Sequence, residues 1–324
     1  MDVLITRPLP GIAYELLDQQ NISYQVFPQE DRMITKPELL SRCKSVKGII
    51  SLLTDRIDQE VIKAAPNLTV IANYAVGFDN IDIACATDHR IMVTNTPGVL
   101  TDATADLTIA LILSLIRRIT RADKFTREGR FQGWSPTLLV GGDLTGKNFG
   151  LIGTGRIGQA VAQRISGFNV NLIYNSPSGK PDFEEQYNAV FLDLPELLRQ
   201  ADIISIHVPL TDKTHHLLNK NNMKLLKPNC YIINTSRGPV IDEVELVKLL
   251  KQNRIAGAAL DVFENEPKLT PGLADLENVI LTPHIGSASE YTRNKMAEIA
   301  ATNIIQALSG KIPDNLINRE VLEK

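Results

Sequence analysis

The chain has 324 residues, with 34 Lys and Arg against 37 Asp and Glu and a formal net charge of −3. This length predicts two domains, and 44% hydrophobic with 22% charged residues is typical of a globular protein. Because no basic surplus exists to neutralise phosphates, nucleic-acid binding is disfavoured as the main activity.

The cysteines and the apolar stretches limit the compartment in which the protein works. Cys43, Cys85 and Cys230 lie far apart and form no Cys-x-x-Cys pair, so we expect no disulfide framework, no metal site and a reducing, cytoplasmic setting. The N-terminus lacks the features of a signal peptide. The longest apolar stretch, residues 107–116, is about half of what a bilayer span needs, so no membrane partner is expected.

The first part of the chain alternates short β-branched runs with helical segments, which indicates an α/β fold with parallel strands. Predicted helices lie at 11–20, 37–43, 58–65 and 81–88. The segment Asn95-Thr96-Pro97-Gly98 then interrupts the alternation. The predicted strands of this part are 3–5, 22–27, 48–53, 69–73 and 91–94.

A long helix is predicted next, at about 101–126. Apolar side chains occupy all of its faces between Leu107 and Ile116, so we expect it to be buried between domains or in a subunit interface. Trp134, the only tryptophan, follows it in a loop. It serves either local packing or a dimer interface.

A second alternating run begins at residue 148 and continues to a final helix. That helix is predicted to begin with Ser287 and Glu290 at capping-box spacing and to end at Gly310. The predicted strands of this part are 149–152, 170–174, 189–192, 203–207, 231–234, 257–260 and 279–281.

A glycine motif follows the first strand of this second run. Gly153, Gly155 and Gly158 have the Gly-x-Gly-x-x-Gly spacing and lie between a predicted strand and a predicted helix. In that context glycines permit a tight turn and close approach of a pyrophosphate to a helix N-terminus. The motif therefore predicts dinucleotide binding, with a purely structural glycine turn as the alternative.

Three polar residues follow later strands of the same run. Arg237, Glu266 and His284 come after the strands at 231–234, 257–260 and 279–281. Ligands of open parallel sheets bind at the carboxyl ends of strands. An arginine matches a carboxylate bidentately, a histidine can protonate a carbonyl oxygen, and a neighbouring carboxylate favours the imidazolium. Together these residues predict reduction of a 2-oxo acid.

Each of the three residues also has a structural explanation when taken alone. Arg237 could be a surface charge, Glu266 a turn residue before Pro267, and His284 a helix cap. Among the other histidines, we expect His207 to be structural or to line the cofactor cleft. The adjacent pair at 215–216 lacks the spacing of a metal site.

The chain resembles the D-isomer-specific 2-hydroxyacid dehydrogenases over nearly its whole length, and within them most of all the glyoxylate/hydroxypyruvate and 2-ketoaldonate reductases. The resemblance rests on the sequences at 73–82 and 95–102, the glycine motif, and the order Arg, Glu, His. It implies a Rossmann cofactor domain at 99–288, inserted into a flavodoxin-like substrate domain formed by 1–98 and 289–324. It also implies a homodimer joined through the cofactor domain.

The resemblance implies a role for each site residue. Arg237 would hold the substrate carboxylate with the backbone amides of Val76 and Gly77, His284 would act as acid and base, and Glu266 would tune it. The substrate would be glyoxylate, hydroxypyruvate or 2-ketogluconate, reduced to the D-2-hydroxy acid. The expected cofactor-binding residues are Thr104, Gly153, Gly155, Arg156, Ile157, Gly158, Ser176, Ser178, Lys180, Val208, Pro209, Thr235, Ser236, Asp261 and Gly286.

The turn after the strand at 170–174 indicates which nicotinamide cofactor is used. NAD-specific domains carry an acidic residue there to bind the ribose hydroxyls, whereas residues 172–180 contain none. Ser176, Ser178 and Lys180 can instead bind a 2′-phosphate. We therefore expect NADP(H) to be preferred and NAD(H) to be the alternative. Pro177 departs from the family pattern, in which NADPH-preferring reductases often carry arginine at that position.

Two other functions are compatible with the same fold. One is a short phosphoglycerate dehydrogenase, which would share the catalytic residues. The other is a dinucleotide-sensing binding module, which would bind the cofactor without turnover. No tail for partner binding is evident, since the chain ends soon after Gly310.

Overall fold

The computed structural model describes residues 1–323, which form two compact units. Unit 1 consists of Met1–Leu100 and the residues from Ala288 onward, and unit 2 consists of Thr101–Ser287. Each unit is a parallel sheet with helices between its strands. The predicted α/β class is therefore confirmed.

Unit 1 is built on five strands in the spatial order β2-β1-β3-β4-β5, all paired in parallel. This is the flavodoxin-like strand order. The strands are β1 (Val3–Ile5), β2 (Tyr24–Val26), β3 (Gly48–Ser51), β4 (Val70–Asn73) and β5 (Met92–Thr94).

Helices cover both faces of the unit 1 sheet. Because successive side chains of a strand point to opposite faces, each strand contributes side chains to the core on either side. Val3 and Ile5 belong to the core that contains residues of the first and last helices, whereas Leu4 belongs to the core on the other face. The helices are α1 (Ile12–Gln19), α2 (Lys36–Arg42), α3 (Gln59–Ala64), α4 (Ile83–Asp88) and, after unit 2, α11 (Glu290–Leu308).

Unit 2 has a seven-stranded sheet in the order β12-β11-β10-β9-β6-β7-β8, again fully parallel. Six of these strands follow the Rossmann order, in which strands are added first on one side of the first strand of the domain and then on its other side. The strands are β6 (Asn148–Ile152), β7 (Asn171–Asn175), β8 (Val190–Phe191), β9 (Ile203–Ile206), β10 (Tyr231–Asn234), β11 (Gly257–Leu260) and β12 (Val279–Leu281).

The helices of unit 2 are α5 (Thr101–Ile116), α6 (Ile119–Arg127), α7 (Arg156–Ile165), α8 (Pro181–Tyr187), α9 (Leu194–Gln200) and α10 (Glu243–Lys251). Helix α5 packs against α7 and the strands β10, β11 and β12. Its buried side chains, such as Leu111 and Ile112, share a core with Phe149 and Leu151 of β6.

The prediction of one long helix at 101–126 is wrong, because α5 ends at Ile116 and a second helix, α6, begins at Ile119. Arg118 between them has a left-handed backbone with φ 54°. The Ile116 carbonyl accepts a hydrogen bond from the amide of Gly142 at 3.1 Å. A backbone amide from a loop that is distant in sequence thus donates to the carbonyl of the last residue of α5.

The predicted capping box of the last helix is also wrong. Helix α11 begins at Glu290, and Ser289 caps it by accepting a hydrogen bond from the Thr292 amide at 3.2 Å. Glu290 is therefore the first helical residue, and Ser287 lies before the cap. All the predicted strands are present in the structure. The observed ends of each strand lie within two residues of the predicted ends, as at β2, which was predicted to begin at residue 22 and begins at Tyr24.

Within residues 1–323, no helix is long and apolar enough to span a membrane.

Candidate active site

Five loops of unit 2 meet at one edge of its sheet. The strands β6, β9, β10, β11 and β12 are parallel, so the segments that follow them emerge on the same side. These segments carry the glycine motif, Val208, Arg237, Glu266 and His284. The parallel arrangement of these strands thus places the residues that follow them at the same edge of the sheet.

His284 and Glu266 form a direct hydrogen bond at this edge. Nδ1 of His284 lies 3.0 Å from Oε2 of Glu266, and about a quarter of each side chain is exposed. The other Glu266 oxygen accepts a hydrogen bond from the Phe263 amide at 3.0 Å. Since Nδ1 is occupied, Nε2 is the ring nitrogen left to exchange a proton with a ligand.

The surroundings of Glu266 favour its ionised form. Burial alone would raise the pKa of Glu266, but the hydrogen bond and charge of His284 act in the opposite direction. The Phe263 amide and the nearby charge of Arg237 add to this effect, and the net result is a pKa below the usual value. The carboxylate is therefore charged at neutral pH and is paired with the His284 ring.

A second carboxylate, Asp261, holds the loop that carries the histidine. It is 1% exposed. Its Oδ1 accepts hydrogen bonds from the Thr282 hydroxyl at 2.6 Å and the Ile285 amide at 2.8 Å, and its Oδ2 accepts one from the Gly286 amide at 2.8 Å. Burial raises the pKa of Asp261, with these donors opposing the shift. The loop includes His284, whose backbone has a left-handed φ of 53°.

Arg237 approaches the same group of residues from β10. Its charge acts on Glu266, and its Nη1 donates to the Ser236 carbonyl at 2.8 Å. The following residue must be glycine, because a Cβ at position 238 would overlap the backbone of Phe263 and Glu264. This close approach, which has no signal in the sequence, brings the Arg237 loop against the Glu266 loop.

The glycine motif lies between β6 and α7 and fits a dinucleotide. Gly155 is the N-cap residue of α7, and the space where its Cβ would be is free of other atoms within 4 Å. A Cβ at Gly158 would overlap the Gly153 carbonyl, so this glycine lets the helix pack on the loop. The first turn of α7 contains no acidic residue and begins with Arg156. Open space above a helix N-terminus suits a pyrophosphate.

Other predicted cofactor residues lie around this loop or beside Asp261. Val208 lies next to the Cβ position of Gly153, and exposed Pro209 follows it. The Thr104 hydroxyl donates to the Gly286 carbonyl at 3.1 Å. Thr235 shares a 2.9 Å hydrogen bond with the hydroxyl of Thr108. Ser236 Oγ donates to Asn234 Oδ1 at 2.8 Å.

The turn after β7 is connected to the glycine motif. Lys180 Nζ donates to the Thr154 carbonyl at 2.8 Å, and its amide donates to the Tyr174 hydroxyl at 2.6 Å. The Ser176 hydroxyl donates to the Ser178 carbonyl at 2.5 Å. Glu184 of α8 accepts a hydrogen bond from the Tyr174 hydroxyl at 2.5 Å, and the same oxygen lies 3.4 Å from the Cβ position of Gly179 in the turn.

His207 lies beneath the glycine motif. Its Nε2 lies 2.8 Å from the Ser205 hydroxyl, and its carbonyl abuts the Cβ position of Gly153. Burial lowers the pKa of His207 to about 3. The side chain is therefore neutral and supports the loop from below.

A further histidine and two carboxylates, which sequence reasoning missed, support the Glu266 loop from behind. His216 Nε2 lies 2.7 Å from Glu264 Oε1, and Glu264 Oε2 accepts the Glu243 amide at 3.1 Å. Glu243, 1% exposed, accepts in return the Glu264 amide and the Thr270 hydroxyl, each at 2.7 Å. Burial raises the pKa of Glu243. The Glu-Asn-Glu spacing before Pro267 is the only sequence signal of this arrangement.

In unit 1, Val76 and Gly77 lie in the turn that follows β4. Both residues are half-buried, and their amides donate no hydrogen bond to any residue within 1–323. The turn is thus able to receive a ligand oxygen at two successive amides.

Comparison with known proteins agrees with this architecture. The model of the D-isomer specific 2-hydroxyacid dehydrogenase NAD binding domain matches residues 109–286. A glyoxylate reductase of Thermococcus litoralis is 47% identical over 99% of this chain and 97% of its own length.

Solved structures extend the similarity. A protein of Thermus thermophilus superposes with a TM-score of 0.92 at 44% identity, covering 98% of this chain and all of its own. A second solved structure is an NADPH-dependent glyoxylate/hydroxypyruvate reductase of Sinorhizobium meliloti in complex with NADP and malonate. It superposes with a TM-score of 0.84 at 31% identity, covering 99% of this chain and 97% of its own.

The Rossmann unit, its glycine motif and the matched domain define a protein that binds a nicotinamide dinucleotide. The chain belongs to the D-isomer-specific 2-hydroxyacid dehydrogenase family, and it is an oxidoreductase.

The contact at Gly238 predicts the effect of adding one methyl group there. In Gly238→Ala the new Cβ must displace the backbone of Phe263 and Glu264, which moves the loop of Glu266. Forced overpacking costs about 1–3 kcal/mol, so we expect a lower Tm together with a lower kcat. Thermal unfolding and initial rates measure both quantities.

Gly167→Ala is the matched control, because nothing lies within 4 Å of the Cβ position at Gly167. It should leave Tm and kcat close to those of the unmodified protein. A Gly238→Ala variant that behaves like this control would refute the close approach of the two loops.

Proposed function

We propose that this protein reduces a small 2-oxo acid to the D-2-hydroxy acid, with NADPH as its preferred cofactor. The observation that carries the proposal is the hydrogen bond from His284 to Glu266 beside Arg237, at the sheet edge that also holds the glycine motif. The glyoxylate reductase of Thermococcus litoralis, 47% identical, supports glyoxylate as a substrate. Hydroxypyruvate and 2-ketogluconate are the other candidates.

In this proposal the two units have different tasks. Unit 2 is the cofactor domain, and unit 1 is the substrate domain. Open space above the N-terminus of α7 receives the pyrophosphate. Thr104, Thr235 and Gly286 line the nicotinamide end, where a remaining lone pair of Asp261 accepts the amide. Val208, Pro209 and Ser236 complete the wall of the cofactor site.

The chemistry follows from the polar groups. The bound cofactor supplies a hydride to the carbonyl carbon of the substrate. The Arg237 guanidinium and the amides of Val76 and Gly77 bind the substrate carboxylate. His284 Nε2 gives its proton to the carbonyl oxygen, and Nδ1 keeps its hydrogen bond to Glu266, which compensates the imidazolium charge.

Oxidation of NADPH by a panel of oxo acids tests the reaction. The unmodified protein should oxidise NADPH with glyoxylate, hydroxypyruvate or 2-ketogluconate. His284→Ala should lose about 10²- to 10⁴-fold in kcat, the usual contribution of a general acid, and should still bind NADPH. Absorbance at the NADPH band follows turnover, and NADPH fluorescence follows binding.

A protein that binds NADPH but reduces none of these acids would contradict the proposal and favour the binding module. Turnover restricted to a phosphorylated hydroxy acid would favour phosphoglycerate dehydrogenase. A His284→Ala variant with near-normal turnover would remove that residue from catalysis.

The preference for NADPH rests on the turn between β7 and α8. No acidic residue lies between Leu172 and Lys180, so nothing in that segment repels a 2′-phosphate. Lys180 places a positive charge next to the glycine motif through its bond to Thr154. The Ser176 hydroxyl, now bonded within the turn, can rotate to donate to a phosphate oxygen. The similar Sinorhizobium meliloti reductase is NADPH-dependent.

Two substitutions in this turn should change the preference in a graded way. Lys180→Ala should reduce the ratio of kcat/KM for NADPH over NADH by up to about fivefold, the scale of a solvent-accessible ion pair. Ser176→Asp should reverse the ratio, because a carboxylate repels the 2′-phosphate and binds the ribose hydroxyls. Initial rates with each cofactor give the ratios.

The exposed Lys224, which lies elsewhere on unit 2, provides the control Lys224→Ala, for which the ratio should not change. Equal or better catalysis by the unmodified protein with NADH would refute the preference.

We also propose that the protein is a homodimer joined through its cofactor domain. The segment that follows α6 exposes large apolar side chains: Trp134 is 84% exposed, Val140 57% and Phe131 54%. Helix α6 has no buried residue. Exposed apolar side chains grouped in this way are typical of protein–protein interfaces.

The single tryptophan reports directly on this surface. At micromolar concentration, sedimentation velocity should show a dimer, and Trp134 fluorescence should be blue-shifted from that of a hydrated indole. Dilution below the dissociation constant should shift the emission to the red. A monomer in sedimentation, with the emission of exposed indole at every concentration, would refute the dimer.

A further inference from the structure

The turn that follows β4 carries the two amides assigned to the substrate carboxylate, and hydrogen bonds to the carbonyls of this turn determine where the amides point. The peptide bonds from Ala75 to Phe78 are trans. In a planar trans peptide the C=O of one residue and the N–H of the next point in opposite directions. Whatever holds a carbonyl of this turn therefore also directs the amide that follows it.

Each of three successive carbonyls in the turn has its own donor. The Ala75 carbonyl accepts the Thr96 amide at 2.9 Å, and the Val76 carbonyl accepts Asn95 Nδ2 at 2.8 Å. The Gly77 carbonyl accepts Asn73 Nδ2 at 2.8 Å. The first two donors come from adjacent residues of the segment after β5. The amides of Val76 and Gly77 are therefore both turned away from that segment.

The donor Asn73 is itself held by other groups. It is the last residue of β4 and is fully buried. Its Oδ1 accepts the Ser51 hydroxyl at 3.0 Å, and its Nδ2 also donates to Asn80 Oδ1 at 3.0 Å. Asn80 in turn donates to the carbonyls of Leu52 and Asp55, each at 3.0 Å. The far side of the turn is thus connected to the loop after β3.

Asn95 is different, because it is half-buried and, within residues 1–323, its side-chain amide bonds to this turn alone. We propose that Asn95 is a positioning residue for substrate binding: its Nδ2 holds the Val76 carbonyl so that the Gly77 amide faces the substrate carboxylate. Asn73 holds the Gly77 carbonyl, on the other side of the same residue. This inference rests on the proposed function, since it needs a carboxylate ligand at Val76 and Gly77.

Replacing Asn95 by an isosteric acceptor tests the inference. In Asn95→Asp a carboxylate oxygen would face the Val76 carbonyl, and repulsion would rotate the peptide. The loss of one net hydrogen bond in the carboxylate site weakens binding of the carboxylate by about five- to tenfold. We expect the KM for glyoxylate and the Ki of oxamate, an unreactive carboxylate analogue, to rise at least that much. NADPH affinity should not change, and kcat should change less than KM.

Asn95→Ala, which removes the donor without adding a charge, should give a smaller rise of the same kind and keeps the test open if the aspartate variant does not fold. Asn318→Asp is the matched control. Asn318 Nδ2 likewise donates to a backbone carbonyl, that of Ile91 at 2.9 Å, but at the opposite end of β5. This variant should lower Tm without raising KM or Ki.

The outcomes separate this inference from the function on which it rests. Unchanged KM and Ki in both Asn95 variants, in a protein that reduces glyoxylate, would overturn the role of Asn95 alone. An equal rise of KM and Ki in Asn318→Asp would also overturn it, because the effect would then be general destabilisation. A protein that neither reduces an oxo acid nor binds oxamate would overturn the proposed function itself.

Discussion

The hydrogen bond between His284 and Glu266 is the interaction on which the candidate site depends. The two residues are on different loops, which follow β12 and β11, and they meet only because these strands are parallel neighbours in the sheet. Asp261, at the end of β11, binds the amides of Ile285 and Gly286 and so holds the histidine loop. Gly238 allows the β10 loop to lie against the backbone before Glu266. The loops after three strands therefore determine the position of one hydrogen-bonded His–Glu pair.

Burial of the polar side chains behind this pair costs free energy of folding, and their hydrogen bonds offset that cost. Glu243 and Asp261 are buried carboxylates, and an unpaired buried carboxylate would be strongly destabilising. Glu243 accepts hydrogen bonds from one backbone amide and one hydroxyl, and Asp261 accepts them from two backbone amides and one hydroxyl. The resulting network connects α10, the Glu266 loop and the histidine loop. We propose that this network keeps the proton donor of the proposed reaction in place.

Much of the fold could be predicted because parallel strands are buried on both faces and appear as short β-branched runs. The glycine motif and the polar residues after strands could be found because the sheet itself places them. Two features that the sequence did not predict involve contacts between residues far apart in the chain. The Ile116 carbonyl at the end of α5 accepts the amide of Gly142, which lies 26 residues later, and Asn95 donates to a carbonyl 19 residues earlier. Such contacts leave no periodic signal in the sequence.

The pH dependence of reduction in Glu266→Gln tests the central interaction most directly. The pKa of Glu266 is lowered by His284, so each charge stabilises the other, and the neutral amide removes that stabilisation. In the proposed reaction His284 Nε2 gives a proton to the carbonyl oxygen, so reduction should be lost as pH rises. The profile of kcat/KM for glyoxylate in Glu266→Gln should therefore fall at lower pH than in the unmodified protein. Coincident profiles of equal height would contradict the account.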